Sequence, residues 1–214
     1  MLHAVDPYAG FDPTQWPLDR QGWGHESAAF RELVQAVRPK LIVEVGTWKG
    51  ASAIRMAEEI TSAGLDGQIL CVDTWLGALE FWTAQEDPER YASLKLKHGW
   101  PQVYYQFLAN VCHKGHQQRV IPFPQTSATG ALWLRYFGFK AELIYLDASH
   151  EEDDVYGDLL AYWEVLAPGG VLFGDDWSWD GVRLAVLRFA REVGVTYRFS
   201  ADKWVLDKPG RTPE

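Results

Sequence analysis

The stretch Val43-Glu44-Val45-Gly46-Thr47-Trp48-Lys49-Gly50-Ala51-Ser52 sits between two contrasting patterns. Before it lies a short β-branched run, 41–45, which reads as a buried strand. After it, Ile54, Ala57 and Ile60 share one helical face, which predicts a helix over 51–61. Gly46 and Gly50 bound the turn between them. A second apolar run, Ile69-Leu70-Cys71-Val72-Asp73, follows. Strand, helix and strand in this order make a βαβ unit, with parallel strands and a right-handed crossover.

The alternation continues in both directions. Strands are predicted over 119–123, 143–147 and 171–175, and helices over 127–137, 151–166 and 181–193. The segments 195–199 and 203–206 read as a closing hairpin. Upstream, 27–38 carries Phe30, Leu33, Val34 and Val37 at helical spacing and ends at Pro39. This is an α/β pattern: a doubly wound, mostly parallel sheet with helices on both faces. The domain is placed at 25–207. An irregular arm rich in Pro, Gly, Asp and Trp precedes it at 1–24, and a tail follows at 208–214. The segment 74–115 exceeds a minimal βα alternation and reads as a helical insertion or lid facing the substrate.

Composition narrows the function. Of 214 residues, 47% are apolar and 23% charged, as in one globular domain with a sizeable core. A net charge of −9 opposes binding to phosphate backbones, so no nucleic-acid partner is expected. No apolar stretch approaches the ~20 residues that span a bilayer, and no signal-peptide pattern opens the chain. Two cysteines make no disulfide framework, and a cytoplasmic setting is expected. Trp75, Trp82, Trp100, Trp177 and Trp179 fall in loops or at element ends, where indoles can line a small-molecule pocket. The aromatic arm suggests a homodimer contact. Lys49 reads as a solvated loop residue. His113 and His116 read as exposed helix residues, and Glu151 to Asp154 as a helix start favoured by the dipole.

In open α/β sheets ligands bind beyond the carboxyl ends of the strands. The glycine turn cannot hold a dinucleotide, because Trp48 stands where the second glycine of G-x-G-x-x-G is needed, and no Walker loop is present. A zwitterionic nucleoside such as S-adenosylmethionine (SAM) suits it better. Glu44 would offset the ammonium, Gly46 and Gly50 would admit the backbone, and helix N–H groups would meet the carboxylate. Asp73, ending the second strand, would accept hydrogen bonds from the ribose hydroxyls.

These residues, in this order, resemble class I SAM-dependent methyltransferases. The quoted stretch is similar to the family's first SAM motif, Asp73 to its ribose-binding acid, and Gln125-Thr126-Ser127 to the segment along adenine. Leu146-Asp147-Ala148-Ser149-His150 is similar to its fourth-strand motif. The resemblance covers roughly 31–206 and implies a seven-stranded sheet ending in an antiparallel hairpin. It also implies SAM contacts from Glu44, Gly46, Thr47, Trp48, Gly50, Ser52, Asp73, Thr74, Trp75, Thr126, Ser127 and Asp147.

Asp147 and the pair Asp175-Asp176 end two successive predicted strands, and their carboxylates would converge if those strands are adjacent. Three unpaired carboxylates repel one another, and an oxygen-bound Mg²⁺ would remove that cost. The resemblance to metal-dependent O-methyltransferases of the catechol and macrocin types, and to cephalosporin hydroxylase-like proteins, implies Mg²⁺ on these three acids. The metal would then orient a small-molecule hydroxyl acceptor, such as a sugar of a natural product or surface glycan. Asp147 and His150 are the candidate catalytic pair, with His150 as base where the catechol type carries lysine. Two other readings stay open: a non-catalytic SAM-fold binding or assembly subunit, and a metal-dependent hydroxylase-like enzyme.

Overall fold

The computed structural model describes residues 2–210. Seven strands form one sheet: β1 (Leu41–Val45), β2 (Gln68–Asp73), β3 (Val120–Pro124), β4 (Ala141–Leu146), β5 (Leu166–Gly174), β6 (Tyr197–Ser200) and β7 (Lys203–Asp207). Their order is β3-β2-β1-β4-β5-β7-β6. β1 to β5 run parallel, and β7 lies antiparallel between β5 and β6. The expected doubly wound sheet and closing hairpin are both present.

The described residues form seven α-helices, all but α3 packed on the faces of the sheet: α1 (Ala28–Val37), α2 (Ala51–Ser62), α3 (Pro88–Ser93), α4 (Val103–Lys114), α5 (Ser127–Tyr136), α6 (Glu152–Val165) and α7 (Asp180–Val193). Strand side chains alternate between two cores because the β period is two. Ile42, Ile69, Leu143 and Tyr145 face α1, α2 and α4. Val43, Leu70, Val72 and Ile144 face α5, α6 and α7. The first core centres on Phe30, Tyr145 and Phe173, with ring centroids 4.8 to 5.8 Å apart. α1 begins where Ser27 accepts the Ala29 N–H and stops where Arg38 turns left-handed, one residue before Pro39. Among the described residues no helix is long and apolar enough to cross a membrane.

Three boundaries differ from the sequence reading. The insertion expected over 74–115 is divided. α4 buries Val103, Phe107, Leu108 and Val111 in the first core as the crossover from β2 to β3, and only 74–102 lies over the strand ends. Pro168-Gly169-Gly170 does not separate helix from strand. β5 follows α6 directly and absorbs these residues as an irregularity against Ala141 and Leu143. The start of the expected tail is tied down: Lys208 donates to Gly170 O and Gly169 donates to Lys208 O. Residues 211–214 lie outside the described residues.

The arm packs on its own domain. The Tyr8 hydroxyl donates to Val120 O (2.8 Å), and Asn110 exchanges hydrogen bonds with the Asp19 backbone (2.6 and 2.9 Å). At the far end of the sheet, β5 closes on β7 through Gly174, where an added Cβ would lie 2.2 Å from Trp204 Cζ2 and 2.6 Å from Leu146 O. Gly174→Ala is expected to destabilise the fold by about 2–3 kcal/mol. Urea denaturation checks this, and an unchanged midpoint would show that Trp204 can move aside at no cost.

Candidate active site

Strand order reverses between β1 and β4, and the loops beyond their carboxyl ends splay apart there. A cavity of about 510 Å³ opens at this point, within the range of small-molecule sites. Two glycines let the chain pass. An added Cβ on Gly46 would lie 1.9 Å from Asp147 O, and one on Gly50 would lie 2.8 Å from the Phe107 ring. Both have φ near +83°, which side chains disfavour.

Asp73 holds this turn. Its Oδ2 accepts the N–H groups of Thr47 and Trp48, and its Oδ1 that of Trp75, each at 2.7 Å. Burial raises its carboxyl despite these donors. It lines the cavity, but loop fixation is a role that sequence reading missed. Glu44 is not at the cavity wall. It is fully buried, accepts the Ser52 hydroxyl, and faces the Cys71 thiol at 3.6 Å. Burial pushes its carboxyl up to about 7. Ser52 therefore stands between Glu44 and any ligand. Trp75 is also a correction: its ring is buried against Tyr104 and Phe107, and its indole N–H donates to Trp48 O (2.8 Å).

Gly46, Thr47, Trp48, Ser52, Asp73, Thr74, Thr126 and Ser127 do line the cavity. Here the wall fits a nucleoside with an amino-acid tail. Trp48 Nε1 is buried without a hydrogen-bond partner, and Thr47 Oγ1 has no well-aligned one. The first turn of α2 lacks a side-chain cap, which leaves its N–H groups for an anion.

The other end of the cavity is acidic. Asp147, Asp175 and Asp176 converge as expected, but each carboxylate has partners. Lys203 Nζ lies 2.5 Å from Asp175 Oδ2, and His150 Nε2 lies 2.9 Å from Asp176 Oδ2. Asp147 accepts the Tyr145 hydroxyl (3.0 Å). Burial and then the Asp176 and Asp175 charges hold the Asp147 carboxyl well above the usual range. Burial also works against Asp176, but the His150 hydrogen bond and charge outweigh it and lower that carboxyl. Among the described residues, no group of three His, Cys, Asp or Glu side chains is arranged to hold a metal ion. The donor set does not fit the Mg²⁺ site expected from sequence, because Lys203 and His150 already supply the countercharge.

His150 is no free base. Its ring stacks on Trp179 at 4.4 Å, and its Nδ1 lies 3.3 Å from Glu80 Oε1. With a carboxylate at each nitrogen, the imidazolium is the favoured form. Its pKa is raised to about 9, chiefly by the hydrogen bond to Asp176.

Several site residues carried no sequence signal. Gln21, Gly22 and Trp23 of the arm line the cavity, as do Glu80, Phe81 and Arg90 of the 74–102 segment. Lys49, expected in solvent, is only 2% exposed; its ammonium bonds Asp19 (2.7 Å) and Gln21 (2.6 Å). The left-handed φ values of Trp48, Trp75 and Asp176 mark three strand exits where strain of ~1–3 kcal/mol each is held by surrounding bonds.

Because folding raises the His150 pKa from 6.5, its contribution to stability is complete below about 6.5 and is lost as pH rises through about 9. On the order of 2 kcal/mol is expected to disappear across that window. NMR titration of the ring should show the raised pKa, and Asp176→Asn should return it toward 6.5. A wild-type ring that already titrates near 6.5 would mean the two carboxylate contacts do not form in solution.

A model of the methyltransferase domain family matches residues 43–177, which is more than half of the chain. A search of curated proteins finds no match. Among solved structures, the O-methyltransferase from Bacillus cereus in complex with SAH is similar at 15% identity, over 89% of this chain and 83% of that one, with a TM-score of 0.58. TomG from Streptomyces achromogenes, an O-methyltransferase involved in tomaymycin synthesis and solved with SAM, is 16% identical over 85% and 78%, at 0.59. CalS11, a TDP-rhamnose 3'-O-methyltransferase of calicheamicin biosynthesis, is 18% identical over 84% and 77%, at 0.56. At these identities the likeness is one of fold. With the family match running from the β1 turn through Asp73 and Asp147 to the Asp175-Asp176 pair, the chain belongs to the methyltransferase domain family.

Proposed function

We propose that the chain is a SAM-dependent O-methyltransferase acting on a hydroxyl of a small polar acceptor, with a sugar as the acceptor class. The observation that carries this is a single cavity with two chemically different ends. One end has the glycine turn, Asp73, Thr126 and Ser127, which suit an adenosine with its amino-acid tail. The other has the acidic cluster with Trp179 stacked on His150 beside it, which suits a hydroxylated ring. The fold shared with a sugar O-methyltransferase supports the acceptor class. The net charge of −9 favours a small molecule over a nucleic acid.

When bound, SAM supplies an electrophilic methyl group on sulfur. The chain positions the acceptor oxygen and removes its proton. His150, shared between Glu80 and Asp176, acts as a donor to these carboxylates and fixes them. Asp147, held above the usual carboxylate range by burial and by the neighbouring Asp176 and Asp175 charges, takes the hydroxyl proton. Trp179 stacks on His150 and closes that side of the cavity.

Calorimetric titration with SAH tests the cofactor assignment. Micromolar binding is expected, and Asp73→Ala is expected to weaken it at least tenfold, about 1.4 kcal/mol. No binding to the wild-type chain would overturn the reading. Glycosides and nucleotide sugars, screened by SAH release, then test the acceptor class.

A further inference from the structure

Lys203 is the first residue of β7, and its side chain is fully enclosed. Its ammonium lies 2.5 Å from Asp175 Oδ2 and 3.2 Å from Asp202 Oδ2, and 5.9 Å from the centre of the Phe30 ring. Gly24 of the arm passes directly over the pair. An added Cβ there would lie 2.2 Å from Asp175 Oδ2 and 2.4 Å from Lys203 Nζ. The second oxygen of Asp175 accepts the Asp176 N–H (2.9 Å), and Trp204 Nε1 donates to the Asp175 carbonyl (2.7 Å). Both carboxylate oxygens of Asp175 and its carbonyl thus have partners within the chain itself.

We propose that Lys203 is the resident cation of this acidic cluster, and that the site holds its carboxylates in place without a divalent metal. Oxygen-only sites of this composition ordinarily recruit Mg²⁺ to relieve carboxylate repulsion. Here an ammonium delivered from the antiparallel strand β7 does so for Asp175, and the imidazole of His150 does so for Asp176. A divalent ion on Asp175 Oδ2 would displace Lys203 and leave its enclosed ammonium with the longer Asp202 contact alone, and loss of a partner is costly for an enclosed charge. The geometry also explains the glycine at position 24, because any side chain there would press into the ion pair. Lys203 is a positioning residue: it acts through Asp175, which lines the cavity, whereas its own side chain lies behind that wall.

This role does not depend on what occupies the rest of the cavity, so its test is separate from SAH binding. MnCl₂ and MgCl₂ are titrated into the full chain, followed by calorimetry and, for Mn²⁺, by electron paramagnetic resonance. The wild-type chain is expected to show no stoichiometric binding up to millimolar metal. Lys203→Met, which keeps the length and removes the charge, is expected to bind one Mn²⁺ at least tenfold more tightly than wild type. Adding Asp175→Asn should abolish that gain. Lys203→Arg, which keeps the charge, should stay blind to Mn²⁺. Stoichiometric Mn²⁺ binding by wild type that is lost in Asp175→Asn would overturn the proposal. So would a folded Lys203→Met that binds no metal. Should Lys203→Met fail to fold, the wild-type titration decides alone.

Discussion

A half-buried carboxylate taking three backbone N–H groups is the constraint on which the site is built. Asp73 sits at the end of β2 and reaches sideways to the turn after β1, then forward to its own exit at Trp75. Hydrogen bonds to a charged acceptor contribute roughly 1.5–3 kcal/mol each, enough to offset the left-handed backbone of Trp48 and Trp75. Once that turn is fixed, its next residue is fixed too. The Lys49 carbonyl accepts from Asn110 of α4, and the Lys49 ammonium seats Asp19 of the arm. A single acidic side chain thus links two strands, a crossover helix and the N-terminal segment.

Charge in this chain has to be read locally. The net value of −9 describes the surface, while the cavity region is organised by two enclosed lysines, each facing a carboxylate. Lys49 fastens the arm under the glycine turn, and Lys203 fastens the end of β5. The acidic cluster looks overcharged when its residues are read along the chain. It is nearly balanced once Lys203 of β7 and His150 of the loop after β4 are folded against it.

How much was legible follows from the range of the interactions. β1, α1 and α2 announce themselves through β-branched runs, helical spacing and caps, all local properties. The loops after β1, β2, β4 and β5 were also placed at one site correctly, because the βα alternation dictates that. What the sequence could not show depends on partners far along the chain. Lys49 meets Asp19 across 30 residues and Lys203 meets Asp175 across 28, so Lys49 reads as a solvated loop residue and Lys203 as no more than the start of a hairpin strand. Trp75 and Trp48 look alike in sequence, yet one is core and the other cavity wall, a distinction set by the packing of α4. The break expected between 166 and 171 survives only as a bulge for a related reason: Leu166 already pairs with Ala141 of β4, ahead of Pro168-Gly169-Gly170.

The arm carries a consequence for how the chain assembles. Tyr8 finds its acceptor 112 residues later, at Val120, and the ammonium that receives Asp19 belongs to a turn that Asp73 must first shape. Such distant closures are entropically late events. On the ribosome, the arm is made before its acceptor and cannot make the Tyr8 bond until β3 has emerged and joined the sheet. It is then drawn across the finished domain like a strap, and a segment made before the sheet finds its place after it.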